Sequence, residues 1–507
     1  GGGDEYCEPH FTYFGFRYVE VRGITGDLTA DMIDGKVVHD AVEAAGSFTC
    51  SNETINAIYR NAVWGIRGNY RSVPTDCPQR DERQGWLGDR SEESRGEMFL
   101  YDLALFYEKW VQDMEDSQKD TGSVPDVAPP YYPFYTDNVT WPSSFIIIPG
   151  TLYEKYGDLR AIERHYPAMK RWIAYMGQFM KDDLMPRDEY GDWCVPPESQ
   201  ELIHSNDPNR KTSGDLIGSA YFYHDLTLMA RYATLLGKSD DAAQFNALAE
   251  KMKVAFNSKY LNAQTGTYDN GTQTSCVLPL AFGMVPPEQR GAVFDRLTKK
   301  ITVESNGHIG TGLIGGQWLM RTLADNGRSD IGFTIATQRG YPSWGYMIDQ
   351  GATTIWELWN GNTADPAMNS HNHVMLLGDL LVWFYEYLAG IRPDPEAPGF
   401  KHFVLKPVPV DGLDFVRATY RSPYGLIESE WKRDGDKLTW SVRVPPNSTA
   451  GVYVPTTDPA SVVESGDTEN NAPKATPAGE QTGNVLYRVG AGRYVFHSTF
   501  APSAAAK

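Results

Sequence analysis

Between residues 50 and 392, apolar side chains recur at helical spacing in twelve separate segments, and this limits the possible fold more than any other feature. The segments lie near 52–70, 90–116, 145–157, 159–182, 213–236, 239–259, 275–284, 287–303, 313–325, 328–337, 343–350 and 374–389. They do not repeat with a fixed short period, so a superhelical array is disfavoured. Twelve helices in one unit of this length predict an (α/α)6 barrel, with six inner and six outer helices in alternation, rather than a four-helix bundle. After Ile391 the pattern changes to short alternating runs, HFVLKPVPV, FVRATYRS, GLIESEWKR, KLTWSVRVP, AGVYVP and GRYVFHS, which predict a C-terminal antiparallel β-sandwich. Ahead of the helices, FTYFGFRYVEVRG at 11–23 reads as one strand. A strand needs a sheet, so this one is expected to be the remnant of an upstream β domain outside the chain. The expected organisation is 1–45 for that remnant and its linker, 46–392 for the (α/α)6 barrel and 393–507 for the sandwich. Residues 458–482 and the tail APSAAAK read as a long loop and a frayed end.

The connections carry the unusual chemistry. Three are long: 118–144 with VPDVAPPYYPFYTDNVTWPSS, 184–212 with MPRDEYGDWCVPPESQ, and 351–373 with GATTIWELWNGNTADPAMNSHNH. Structureless loops beyond about 15 residues in a compact domain are functional or disordered. The aromatic content of these three argues for function. The stretch at 76–89, DCPQRDERQGWLGD, packs three aspartates, a glutamate, two arginines and a tryptophan into fourteen residues. Carboxylates this dense need arginines or hydrogen bonds to stay ionised, and the indole beside them offers a flat apolar face. The plainer reading is a surface turn, with Asp89 capping a following helix and Glu92 completing a capping box. If alternate loops open on one end of the barrel, the three long loops and the 76–89 stretch gather around one funnel.

Composition removes several classes of function. A formal charge of −19 argues against a nucleic-acid partner, which would need a basic surface. No run approaches the roughly 18 apolar residues of a membrane-spanning helix. Five cysteines without CxxC pairing indicate neither a zinc site nor a disulfide framework, and no cofactor or metal is expected. With 13 tryptophans and 29 tyrosines, the chain has aromatic side chains to spare for stacking on carbohydrate.

Hydrolysis of a glycosidic bond needs one carboxylic acid to protonate the leaving oxygen and a second carboxylate to activate water or attack carbon. The 76–89 stretch can supply one. Glu357, flanked by Trp356 and Trp359, is the strongest candidate for the other, and Glu198 is the second choice. DCPQRDERQGWLGD, GATTIWELW at 351–359 and the opening FTYFGFRYVEVRG together resemble the bacterial α-L-rhamnosidases of glycoside hydrolase family 78. That resemblance implies an (α/α)6 catalytic barrel between β domains and hydrolysis of terminal α-L-rhamnose with inversion. It implies Glu82 as general acid and Glu357 as general base. Asp76, Arg80 and Asp89 match polar ligands of the sugar, and Trp86 matches a stacking residue. Trp141, Trp193 and His373 correspond to further pocket residues, and Trp359 joins these candidate contacts. Two departures touch the pocket rim: Trp141-Pro142-Ser143-Ser144 stands where a glycine and an aspartate would follow the tryptophan, and the stretch from Glu357 to His373 is short. The implied partners are a rhamnose-containing glycoside, such as a flavonoid, saponin or polysaccharide fragment, and the N-terminal β domains of the same protein. The alternatives are another (α/α)6 carbohydrate-active enzyme, such as a glucoamylase-like hydrolase or a phosphorylase, and a non-catalytic carbohydrate-binding protein.

Overall fold

The computed structural model describes residues 3, 5–466 and 475–501. Strand β1 (Gly46–Cys50) leads into α1 (Glu53–Gly68), whose first turn is capped by Asn52 accepting from the Ile55 amide at 3.1 Å. A short hairpin, β2 (Tyr70–Arg71) and β3 (Val73–Pro74), carries the chain into the acidic stretch. The helices that follow are α2 (Glu93–Leu100), α3 (Ala104–Asp116), α4 (Ser144–Tyr156), α5 (Arg160–Gly177), α6 (Gly214–Leu235) and α7 (Ser239–Tyr260). After a second hairpin, β4 (Leu261–Asn262) and β5 (Thr267–Tyr268), come α8 (Gln273–Ala281), α9 (Arg290–Lys299), α10 (Leu313–Asp325), α11 (Ser329–Ala336) and α12 (Trp344–Asp349). The last helix, α13, starts at Leu380–Val382 and continues as a π-helical turn over Trp383–Leu388.

The helices close into a double ring. α2 packs on α4, α4 on α6, α6 on α8, α8 on α10, α10 on the π-helical continuation of α13, and α13 on α2. These six form the inner wall of an (α/α)6 barrel, as the alternating pattern predicts. Position in the ring follows from side-chain pattern. α10 buries almost every residue from Leu313 to Ala324, as an inner helix must. α5 buries one stripe, Ile162, Tyr166, Met169, Ile173 and Met176 with their neighbours, and turns charged residues outward. The predicted 90–116 segment is two helices rather than one, broken at Tyr101 to Leu103, because the first belongs to the inner ring and the second to the outer.

The C-terminal strands are β6 (Ile391–Pro393), β7 (His402–Leu405), β8 (Phe415–Ser422), β9 (Gly425–Asp434), β10 (Lys437–Val444), β11 (Thr449–Pro455), β12 (Val463–Glu464), β13 (Thr476–Gln481), β14 (Asn484–Val489) and β15 (Gly492–Thr499). They form two sheets, ordered β1-β8-β9-β10-β15-β12 and β13-β14-β11-β7-β6. Pairing is antiparallel except between β7 and β11, which run parallel because the chain crosses to the other sheet between them. Trp431 and Trp440 face each other across β9 and β10, fully buried. Trp431 Nε1 donates to the Leu388 carbonyl at 2.8 Å, locking the sandwich to the end of the inner ring.

Three expectations need correction. The 11–23 segment forms no strand: Phe11, Phe14, Phe16 and Tyr18 are exposed, and no described strand pairs with it, so its β pattern finds no ladder. GSFTC at 46–50, grouped above with the barrel, is an edge strand of the sandwich, with Gly46 opposite Tyr420 and Cys50 opposite Val416. Within the stretch expected to be a loop from 458 to 482, β12 and β13 are strands that extend the two sheets; residues 467–474 and the 502–507 end of the tail lie outside the described residues.

Candidate active site

Each inner helix is entered from a loop on the same end of the barrel, and these loops interlock. Thr140 donates its backbone N–H at 3.0 Å and its hydroxyl at 2.7 Å to Asp188, joining the 118–144 and 184–212 loops. Asn360 donates to the carbonyls of Gln200 and Leu202 at 2.7 and 2.8 Å, joining 184–212 to 351–373. Asp192 sits at the N-terminus of α10, where it accepts from the amides of Gly312 and Gly315 at 3.0 Å each. The positive end of that helix fixes the carboxylate, and with it the adjoining Trp193.

The acidic stretch crosses the centre of this end. Arg80 is its hub. Its Nε and Nη2 contact Glu82 Oε2 at 2.7 and 2.5 Å. Its Nη1 donates to Glu357 Oε2 at 3.1 Å and its Nη2 to Glu357 Oε1 at 3.4 Å. Asp76 Oδ2 lies 3.8 Å from Nη2. Residues 275 positions apart in sequence, Glu82 and Glu357, thus sit on adjacent edges of one guanidinium. Burial alone would lower the Arg80 pKa; the charges of Glu357, Cys77 and Glu82 and the hydrogen bond to Glu357 together outweigh it and raise the value.

The two carboxylates differ in setting. Glu357 is buried and takes the Ser370 amide on Oε2 at 2.7 Å. Glu82 is about a quarter exposed, and Trp86 Nε1 donates to its Oε1 at 2.9 Å. Around them, Asp76 accepts from the Gln84 amide at 2.8 Å, and burial, reinforced by Glu82, pushes its carboxyl up to about 7. Asp89 is buried, and desolvation, then Asp76, raises its pKa well above the carboxylate range, with Glu357 and Glu82 adding to the shift. His373, paired to Ile355 through its backbone amide at 2.8 Å, is held neutral: burial, then Arg80, lowers it to about 3.

The tryptophans divide into walls and supports. Trp86 is half-buried and stacks on Phe134 with centroids 5.4 Å apart. Trp193 is half-buried between Tyr190 and the imidazole of His204, at 6.0 and 4.7 Å. Trp141 lies almost fully buried beneath Gly88, packed on Tyr190 at 4.3 Å. Trp359 is 1% exposed and edge-on to Trp344. Glu198 stays at the surface, bonded to Ser205 and the Asn206 amide, away from the pair. The capping-box reading of Asp89 and Glu92 is also overturned: α2 starts at Glu93 with no side-chain cap, and Glu92 instead accepts from Arg321 at 3.0 Å.

Several site residues carried no separate sequence signal. Gln79 Oε1 accepts from the Ser370 hydroxyl at 2.9 Å, linking the acid-bearing loop to the residue that holds Glu357. Arg83 donates to the Tyr13 carbonyl at 2.8 Å and lies over its ring, while a Cβ on Gly15 would stand 2.5 Å from that of Gln79. The N-terminal segment therefore braces the same loop. Asp76, Cys77 and Glu82 bring one donor atom each within 4.8 Å of one another, the spacing of a cation site. The Arg80 guanidinium already supplies the positive charge there, and burial keeps the Cys77 thiol protonated, so this set does not suit a metal.

Comparison with known proteins gives one consistent family. The bacterial alpha-L-rhamnosidase six-hairpin glycosidase domain matches residues 43–388, the C-terminal domain of the same proteins matches 390–469, and their concanavalin-like domain matches 1–39. An alpha-L-rhamnosidase of Streptomyces avermitilis is 34% identical over 98% of this chain and 46% of its own length. One from Formosa agariphila is 36% identical over 88% of this chain and 48% of its own. The chain thus spans about half the length of the curated relatives it matches. The solved alpha-L-rhamnosidase of Dictyoglumus thermophilum superposes with a TM-score of 0.89 at 36% identity, covering 97% of this chain and 54% of that one. The Streptomyces avermitilis structure, complexed with L-rhamnose, gives a TM-score of 0.84 at 32% identity, over 91% and 43% of the two chains. With its helical barrel, its sandwich and the segment before them each matched in order, the chain belongs to the bacterial alpha-L-rhamnosidase family, in which the barrel is the six-hairpin glycosidase domain.

Proposed function

We propose that this chain carries the catalytic site of an inverting glycoside hydrolase that releases terminal α-L-rhamnose from a rhamnoside. The observation that carries the reading is the pair Glu82 and Glu357, seated on adjacent edges of the Arg80 guanidinium. Inverting glycosidases keep their carboxyl groups about 6.5–9.5 Å apart to admit one water. Here both carboxylates contact Arg80 Nη2, at 2.5 and 3.4 Å, so their facing oxygens stand closer than that. The inverting outcome rests on the family resemblance, with Arg80 having to shift to admit the water. Glu82, the more exposed of the two and tied to a stacking indole, faces the leaving group and protonates the glycosidic oxygen as the bond from C1 to that oxygen breaks. Glu357 takes a proton from water as the water oxygen bonds to C1 from the opposite face. The leaving group departs as an alcohol, and exchange of protons with solvent restores both carboxyls. Asp76, Asp89 and the neutral His373 serve the sugar hydroxyls, and Trp86 and Trp193 wall the ring and its methyl group.

Two substitutions test the roles separately. Glu357→Gln should lower kcat roughly 10²–10⁴-fold on every rhamnoside, because water activation is needed whatever departs. Glu82→Gln should cost as much on an alkyl rhamnoside but less on a nitrophenyl one, whose leaving group needs little protonation. Equal losses on both substrates would remove Glu82 from the acid role, and near-normal turnover in either variant would remove that residue from catalysis.

A further inference from the structure

With Glu357 as the general base proposed above, we infer that Gln79 and Ser370 are positioning residues that keep it in register with the acid-bearing loop, and that residues 13–17, ahead of the barrel, hold this link closed. Glu357 lies on the 351–373 loop and Glu82 on the 76–89 stretch, so their relative placement depends on what joins the two. Arg80 is one joint, bonded to both carboxylates. Its Nη2 touches both, so it has to move aside when a water enters between them. A joint behind the base keeps the base aimed while Arg80 moves.

Ser370 supplies that joint. It is fully buried, its amide donates to Glu357 Oε2 at 2.7 Å, and its carbonyl accepts from the Glu357 amide at 2.9 Å. Its hydroxyl lies 2.9 Å from both Gln79 Oε1 and the Asn372 carbonyl, and accepts from the Asn372 amide at 3.1 Å. The carboxylate of the base is thus tied, through one residue, to the position immediately before Arg80. Gln79 is held in turn by the segment ahead of the barrel. Tyr13 and Gly15 are half-buried, while Phe14 and Phe16 face solvent. A Cβ on Gly15 would stand 2.5 Å from the Gln79 Cβ and 2.9 Å from its Cα. The Gly15 backbone lies outside the left-handed region, so this contact, and not conformation, excludes a side chain. Two arginines tie the same segment to both loops. Arg83 donates to the Tyr13 carbonyl at 2.8 Å, and Arg17 to the Gly351 carbonyl, where the 351–373 loop begins, at 3.3 Å. Arg83 itself is left-handed, with φ at 50°, a costly backbone for a residue with a side chain and hence a point that needs support. Residues 1–39 match the concanavalin-like domain, so these contacts carry that segment's position to the acid–base pair.

The test measures kcat and KM on an aryl α-L-rhamnoside, in the intact protein carrying this chain, for Ser370→Ala, Ser370→Thr, Gln79→Met, Gly15→Val and the double variant of Gly15→Val with Ser370→Ala. Ser370→Ala keeps the amide that holds Glu357 and loses the link to Gln79, and Gln79→Met keeps the side-chain length and loses the acceptor. Each is expected to lower kcat roughly five- to tenfold with KM changed less than about twofold, because a base held out of line slows proton transfer without loosening the sugar. Ser370→Thr, which keeps the hydroxyl, is expected to restore kcat. Gly15→Val is expected to lower kcat alone and to add little to Ser370→Ala, since both act through one link. Gly15→Ala gives the same comparison where the valine variant does not fold. Losses that multiply in the double variant overturn the action of 13–17 on Ser370. Natural kcat in Ser370→Ala and Gln79→Met, or an equal fall in Ser370→Thr, overturns the link itself. Near-normal turnover of Glu357→Gln rejects the base role and the link with it, whereas an inactive Glu357→Gln beside unimpaired link variants rejects the link alone.

Discussion

Asp76→Asn should stabilise the folded protein at neutral pH while weakening its hold on the sugar. The carboxyl is buried, takes a hydrogen bond on Oδ1 from the Gln84 amide at 2.8 Å, and has no hydrogen-bond partner on Oδ2. Burial, then Glu82, raises its pKa from 3.8 to about 7. The folded form thus holds this proton more tightly than the unfolded chain does. The stability that results is complete below the unfolded value near 4 and is lost as pH rises through about 7. Such a rise corresponds to roughly 4 kcal/mol at full ionisation. An amide keeps the Gln84 bond and cannot ionise, so the variant escapes that loss. Thermal unfolding of both proteins, followed by tryptophan fluorescence from pH 4.5 to 8, should show the variant's advantage growing up to about pH 7 and levelling above it. KM should rise, because the carboxyl proposed above to serve a sugar hydroxyl is gone. A difference that stays constant across the range would refute the buried, proton-holding role of Asp76.

Other substitutions probe the support of the pair. Gly88→Ala puts a methyl carbon 2.4 Å from the Trp141 indole, itself wedged on Tyr190, and should cost about 1–3 kcal/mol of stability with a loss of rhamnose binding measured by titration calorimetry. Gly15→Val should drive Gln79 aside and lower kcat with little change in melting temperature, whereas Gly35→Ala, with nothing within 4 Å, should change neither. Arg80→Met leaves the buried Glu357 with the Ser370 amide as its donor. Loss of one partner of a fully buried pair costs about 3–5 kcal/mol, and with Arg80 26% exposed the expected loss in unfolding free energy is about 2 kcal/mol.

The barrel was legible because helical periodicity is local, and an inner helix such as α10 is apolar over most of its surface, although the inner helix α2 buries Glu93 and Glu97. The acidic stretch and the WELW run were legible as composition. Their union through Arg80 was not, since nothing local in the 76–89 run marks which arginine reaches across 277 positions to Glu357. The same limit hid Gln79 and Ser370, polar residues of ordinary type whose roles come from a tertiary contact. The contact of Trp359 with Trp344 was hidden for a related reason: an indole two positions from Glu357 reads the same in sequence whichever neighbour it meets. The 11–23 segment has a strand's alternation but no described strand beside it, so propensity alone could not make it one. Strand β1 escaped notice because five residues beside a helix start look like a linker until β8 lies against them.

Glu82 and Glu357 are proposed to act as acid and base across one water. The most direct test follows the anomeric proton of the sugar first released from an aryl α-L-rhamnoside by NMR, before mutarotation. β-L-rhamnose is expected as the first product. First release of α-L-rhamnose would mean attack by a protein nucleophile and would contradict that assignment.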